Sequence, residues 1–322
     1  MQGIKNIEIS ARCSYPIISA YEFEFLKTEA EVKALLKPST IYFIVQRPLV
    51  YFNNICITDD LISFEITDRS SSKPLFCSFS PKSNGFSKED EELLIEFQFY
   101  KSQPDKSEPF NDVAGIKLIT ITNKFLLWLT PQKFIHHILT NRLIGTMDGD
   151  LNNYIDYKIH YIGQSFSQDV WNRLTGHEKL QSILTLEHPI DSNTSMSSLE
   201  ISLILLDVTG FTEGNIFPYS DVFTSDGVSP IFHELSLEEG DDSFENFYTT
   251  SLALTAPELT NEIEAMLINL FNPTYNVIKF KKYPNIAKGT RSVGYTESTL
   301  FIEALPAILH TNKFKQNAIF PR

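Results

Sequence analysis

Short β-branched and aromatic runs dominate the first 130 positions: "STIYFIVQRPLVYF", "ISFEIT", "LFCSFS", "ELLIEFQFY" and "IKLITITNKFLLWL". Polar clusters such as "TDRSSSKP" and "SPKSNGFSKEDE" separate them, which is the punctuation of an antiparallel sheet. A β-rich recognition or interaction domain over residues 1–130 is therefore expected. One helix interrupts it at "TEAEVKALL", with Thr28 as cap and Glu29 and Glu31 in the first turn.

The pattern changes at "LTPQKFIHHIL". Thr130 followed by Pro131 is a helix start, because proline at the first helical position gives up an N–H that would have no partner. This places a domain boundary near residue 130 and a second domain over 131–322. His136 and His137 point roughly 100° apart on such a helix and cannot share a metal by themselves, so a helix-surface position is expected for both. Then come a strand "YIDYKIHYIG", a helix "SQDVWNRLTGHEKLQSIL", strands "LEISLILLDV" and "FYTTSLALT", and a helix in "TAPELTNEIEAMLINLFNPTYN" with Thr255 and Glu258 at capping-box spacing. The acidic insert "HELSLEEGDDSFEN" lacks calcium-loop spacing and reads as a solvated loop. The order predicts an α+β fold, a small antiparallel sheet flanked by helices and preceded by the β-rich domain.

Composition narrows the setting. With 42% hydrophobic and 21% charged residues the 322-residue chain is that of a globular protein long enough for two cores. Cys13, Cys56 and Cys77 are odd in number and widely spaced, which suits reduced core thiols and neither disulfides nor zinc. No apolar run approaches the ~18 residues of a membrane helix, and the N-terminus lacks a leader pattern. A cytoplasmic protein with no membrane partner and no small-molecule cofactor is expected. The net charge of −13 repels phosphate backbones, so nucleic-acid binding would need a local basic surface. "VIKFKKYPNIAKGTR" supplies one, with Lys279, Lys281, Lys282, Lys288 and Arg291 interleaved with Phe280 and Tyr283; a merely solubilising loop is the equal alternative.

The last helix carries the clearest chemical signal. At about 100° per residue, with Ile263 at zero, Leu267, Phe271 and Ile268 fall near about 40°, 80° and 140°. Glu264, near about 100°, lies within that apolar arc, whereas Glu262, near about 260°, faces water. A carboxylate on the buried face needs a partner, and a buried ion pair with an arginine is its ordinary reading. Arg173 and His177, four apart, are neighbours on the preceding helix, at the rim of the stripe of Val170, Leu174 and Leu184. In the strand before it, alternation puts Ile155, Tyr157, Ile159 and Tyr161 on one face and Asp156, Lys158 and His160 on the other.

Tyr161-Ile162-Gly163 with Gln164-Ser165, Arg173 and His177 on the next helix, then Glu264-x-x-Leu267-Ile268 and Asn276, together resemble the GIY-YIG nuclease superfamily over about residues 150–285. The resemblance implies metal-dependent hydrolysis of phosphodiester bonds, with DNA as the substrate. In it Glu264 would hold Mg²⁺ or Mn²⁺, Tyr161 would help activate water, and Arg173 would stabilise charge on the scissile phosphate. His177 would assist the tyrosine, and Asn276 would bind backbone or order the glutamate. The family's first motif, Gly-Ile-Tyr on a strand shortly before the second, has no clean copy. Tyr157 lies four strand residues, or ~13 Å, from Tyr161, and Tyr154 points to the wrong face. Three outcomes stay open: a bulged or rearranged segment supplies the tyrosine, the chain works without it, or the scaffold is a catalytically degenerate nucleic-acid or protein binding module. An unrelated α+β fold pairing Glu264 with Arg173 is the remaining alternative.

Overall fold

The protein is described from a computed structural model, which covers residues 6–13, 15–19, 22–23, 26, 29–68, 73–87, 92–100, 104–165, 173–174, 177–187, 199–211, 257–293 and 295–320. In chain order the elements are β1 (Asn6–Arg12), β2 (Ile18–Ser19), α1 (Ala30–Leu36), β3 (Ser39–Pro48), β4 (Val50–Thr58), β5 (Leu61–Asp68), β6 (Leu75–Phe79), β7 (Leu93–Phe99), β8 (Val113–Thr120) and β9 (Phe125–Leu129). They continue with α2 (Pro131–Leu139), β10 (Gly145–Asp148), α3 (Asn152–Ile155), β11 (Asp156–Gln164), α4 (Glu178–Leu186), β12 (Leu199–Phe211), α5 (Pro257–Phe271), β13 (Glu297–Ala304), β14 (Ile308–His310) and β15 (Lys315–Gln316). The class is mixed α+β. The expected strand "FYTTSLALT", the acidic insert, the caps at Thr28 and Thr255, and residues 167–172 and 175–176 of the expected helix lie outside the described residues.

Two sheets organise the chain. The first runs β13-β1-β12-β3-β11-β14-β15, with β2 alongside β12; the second runs β10-β6-β5-β4-β8-β7, with β9 alongside β8. The first is larger than the small antiparallel sheet expected, and β1–β13 and β11–β14 are parallel pairs. Nor do the sheets divide near residue 130. β3 pairs antiparallel with both β11 and β12, so the N-terminal strands complete the sheet that the later strands build, and β4–β10 form their own sheet in the connection between β3 and β11.

The centre of the first sheet is apolar on both faces, as a strand covered on both sides must be. Ile41, Phe43 and Val45 of β3 join Ile204, Leu206 and Val208 of β12 and the stripe Leu259, Ile263, Leu267 and Phe271 of α5. Tyr42 and Ile44 turn to the opposite face, among Leu36 of α1, Leu180 and Ile183 of α4, and Ile201, Leu203 and Leu205 of β12. This is a helix–sheet–helix layering with α5 on one side and α1 and α4 on the other. The second sheet packs its own core, including Phe52, Phe64, Phe79 and Phe134 of α2.

A buried polar layer joins the sheets. Lys133 of α2 pairs with Glu22 at 3.0 Å, Arg47 of β3 with Glu200 of β12 at 3.7 Å, and Gln132 hydrogen-bonds Glu200. All five side chains are buried. Burial pushes the Glu200 carboxyl up to about 7, against the pull of Arg47. Removing one member would strand the charge of the other, which typically costs ~3–5 kcal/mol.

Thr130 caps α2 as the sequence predicts, its side chain accepting from the Lys133 N–H at 3.4 Å. His136 is buried, not on a helix surface, because this helix is wedged between its own sheet and the polar layer; burial pulls its pKa down to about 3, and that of His137 to about 4. The helix expected at residues 28–36 begins at Ala30 behind Glu29, with no side-chain cap bond. Cys13 and Cys77 are buried free thiols, whereas Cys56 is exposed and not a core thiol. Among the described residues no helix is long and apolar enough to cross a membrane.

Candidate active site at the β3–β11 pair

The regular alternation expected of β11 breaks at His160. The β3 register runs Ile159↔Val45 and then Tyr161↔Ile44, so His160 is an extra, bulged residue. A bulge reverses the facing of everything after it. Tyr157 and Ile159 lie in the α5-side core, while Tyr161 turns to the other face and packs against the cluster that holds Tyr42. Grouping Tyr161 with Tyr157 is thus corrected by one inserted residue.

The same register sets Tyr42 opposite Gly163. A Cβ at Gly163 would stand 2.5 Å from the Tyr42 hydroxyl and 2.7 Å from the Tyr161 ring, so only glycine admits the two tyrosines here. Their rings lie 6.1 Å apart. The tyrosine that stands beside Tyr161 is thus neither Tyr154 nor Tyr157 but Tyr42 of Thr40-Ile41-Tyr42, some 120 positions earlier in the chain.

His177 is not on one helix turn with Arg173. Its backbone is extended, and it caps α4, its Nδ1 accepting from the Leu180 N–H at 3.3 Å. That assigns the ring proton to Nε2, which lies 3.0 Å from the Tyr42 hydroxyl oxygen and donates to it. The Tyr42 hydroxyl is left free to donate onward, and its nearness to Tyr161 favours the ionised form of Tyr161. His177, Tyr42 and Tyr161 so form one cluster, with a hydrogen bond from His177 to Tyr42 and the His177 and Tyr161 rings 5.3 Å apart.

Arg173 is exposed, yet its charge acts on four of these groups. It lowers the Tyr42 and Tyr161 pKa values, lowers that of His177 after burial has done so, and favours ionised Glu264. Burial still holds Tyr42 and Tyr161 above the usual tyrosine range, with Glu264 adding to the rise at Tyr161. Glu264 is pushed up to about 7 by burial, opposed by a hydrogen bond from Gln164 and by Arg173. Gln164 Nε2 also donates to Asn261 Oδ1 at 2.7 Å, tying the end of β11 to the helix that carries Glu264.

Asn276 braces the strand. The pairing of β14 with β11 ends at Lys158, so the outer edge of β11 needs other partners beyond it. Asn276 Oδ1 accepts from the Ile162 N–H at 3.0 Å and its Nδ2 donates to the Ile162 carbonyl at 2.7 Å, while the Tyr275 N–H reaches the His160 carbonyl. Its partner is backbone, not the glutamate.

The wheel misplaces the other glutamate of α5. Glu262 is fully buried, with Oε1 receiving Tyr283 Oη at 2.9 Å, Arg291 Nη1 at 2.8 Å and Ser298 Oγ at 2.8 Å, and Oε2 the Thr290 N–H at 3.2 Å. A helical wheel sees one helix; here the segment after α5 folds back over the face it leaves to water. Arg291 is thereby held in an ion pair, and Lys279 is turned onto the Pro273 carbonyl. Lys281, Lys282 and Lys288 are exposed. Among the described residues no three His, Cys, Asp or Glu side chains converge as a metal cage. A single raised-pKa carboxylate facing an arginine does fit Mg²⁺, which often takes one or two carboxylates and keeps its waters. No known protein family, curated protein or solved structure matches this chain.

Proposed function

We propose that the chain is a GIY-YIG-type endonuclease that hydrolyses phosphodiester bonds in DNA, with a cytoplasmic site of action. One observation carries the reading: the antiparallel register of β3 and β11 sets Tyr42 of Thr40-Ile41-Tyr42 beside Tyr161-Ile162-Gly163, so two tyrosine strands pair as in the resemblance, with Thr40 in place of its glycine and a whole sheet in place of its short connection. The degenerate-module alternative rests on the missing first motif and on the net charge of −13; Tyr42 bears on the first of these and leaves the second standing.

In this reading Glu264 would hold Mg²⁺ or Mn²⁺, which when bound would supply Lewis-acid stabilisation of phosphate charge. Tyr161, as phenolate, takes a proton from the attacking water. Burial and the charge of Glu264 hold Tyr161 above its ordinary value, with Arg173 and Tyr42 pulling the other way, so a cation on Glu264 would have to supply the rest of the fall that the phenolate needs. His177 fixes the direction of the Tyr42 proton. As water oxygen bonds to phosphorus and the leaving oxygen departs with its electron pair, the Arg173 guanidinium faces the growing negative charge.

Purified protein with Mg²⁺ or Mn²⁺ is expected to nick or cut plasmid DNA, and Glu264→Ala to abolish cutting. Equal cleavage by the wild type and Glu264→Ala would sink the site assignment.

A further inference from the structure

From Ala265 to Thr296 the chain contains no acidic residue, in a molecule of net charge −13. That run includes Lys279, Lys281, Lys282, Lys288 and Arg291. Just ahead of these cations, one residue past the Asn276 that clamps Ile162, stand Val277 at 82% exposure and Ile278 at 65%. No other large apolar side chain described is as exposed as Val277.

The exposure is built, because the backbone on both sides is tied down. Tyr275 and Asn276 bond to β11, Asn269 donates to the Phe280 carbonyl at 2.9 Å, and Phe280 packs on the α5-side core. Further on, the Glu262 hub fixes Tyr283, Thr290 and Arg291, and Asn261 donates to the Lys288 carbonyl at 3.1 Å. Two aliphatic side chains are thus presented to water beside the tyrosine strand, and three exposed lysines, Lys281, Lys282 and Lys288, follow them in the chain.

We propose that Val277 and Ile278 form an apolar wedge that enters a base step of duplex DNA next to the cut, while Lys281, Lys282 and Lys288 take the flanking phosphates. The inference rests on the nuclease reading and deepens it: the substrate is DNA that is kinked and locally unstacked on binding. Apolar side chains inserted between base pairs are a common means of bending a duplex, and cations hold the backbone on either side. Free phosphate or a mononucleotide offers nothing for the aliphatic pair.

The test uses full-length Glu264→Ala protein, so that DNA is held without cutting, and duplexes with 2-aminopurine placed at successive steps. Brightening of the probe at one step is expected on binding. Adding Val277→Ser and Ile278→Ser should remove it and weaken binding about tenfold, equivalent to ~1.4 kcal/mol. Adding Lys281→Ala and Lys282→Ala should instead lower the slope of log affinity against log salt by about 2. Both pairs are at the surface, and an unchanged urea midpoint checks the fold. Binding without brightening at any step, or brightening that survives the double serine variant, overturns the wedge. Capture by phosphatidylserine vesicles that is lost in the serine variant, with no DNA retained, overturns it in favour of a membrane surface. Wild-type cleavage run in parallel separates the two ideas: cutting without unstacking rejects the wedge alone, and neither cutting nor binding rejects both.

Discussion

At the scale of single residues, the site turns on how close Tyr42, Tyr161 and Gly163 stand. Gly163→Ala would force its methyl into the Tyr42 hydroxyl, so it should damage cleavage as severely as Tyr42→Phe while leaving the sheet paired. Each is expected to slow plasmid cutting about 10²-fold or more, the scale of a lost proton-transfer partner. Glu264 makes a different prediction. Its carboxyl rises from 4.5 to about 7 on folding, so the folded state holds that proton more tightly than the unfolded one. Stability from this group is present at low pH and is lost as pH rises through the window from about 4.5 to 7. Thermal melts without metal should show the wild type losing ground to Glu264→Gln across that window. Mg²⁺ should raise the wild-type melting temperature at pH 8 and leave Glu264→Gln unmoved, and an equal rise in both would place the cation elsewhere.

At the scale of elements, strand alternation and helix periodicity were legible wherever one face of one element decided the outcome. The runs in "STIYFIVQRPLVYF" become β3 and β4, and the Thr130 cap and the apolar stripe of α5 are as the sequence indicates. Two local irregularities were not legible. The bulge at His160 leaves no mark in the apolar pattern, because His160 is itself fully buried and hydrogen-bonded to Gln46 at 3.0 Å. The burial of Glu262 depends on a segment up to 36 residues later in the chain. Arg291→Ala should therefore behave as a core mutation, destabilising by about 3 kcal/mol in urea unfolding, since it strands a buried carboxylate. A loss within about 0.5 kcal/mol, the range usual for surface changes, would show that the hydroxyl donors alone satisfy Glu262.

At the scale of the whole molecule, the two tyrosine strands are adjacent in space and distant in sequence. The second sheet, β4 to β10, stands in the connection between them. A fragment of residues 131–322, the domain suggested by the change of pattern at Thr130, would lack β3, the strand between β11 and β12. Its apolar faces would have no centre to pack on. It is expected to give no cooperative melt by circular dichroism, and a sharp two-state transition would restore the boundary near 130.

The sequence by itself determined the α+β class, most strand and helix positions, and a short roster of reactive side chains, Tyr161, Arg173, His177 and Glu264, because periodicity and residue chemistry are local properties. Only the tertiary structure decided which of them meet. Strand pairing is non-local, so nothing near Tyr161 announces that β3 is its neighbour. The bulge that turns Tyr161 toward Tyr42, the cap that aims His177 at the Tyr42 hydroxyl, and the fold-back that takes Arg291 from the phosphate-facing set all follow from contacts between segments far apart in the chain.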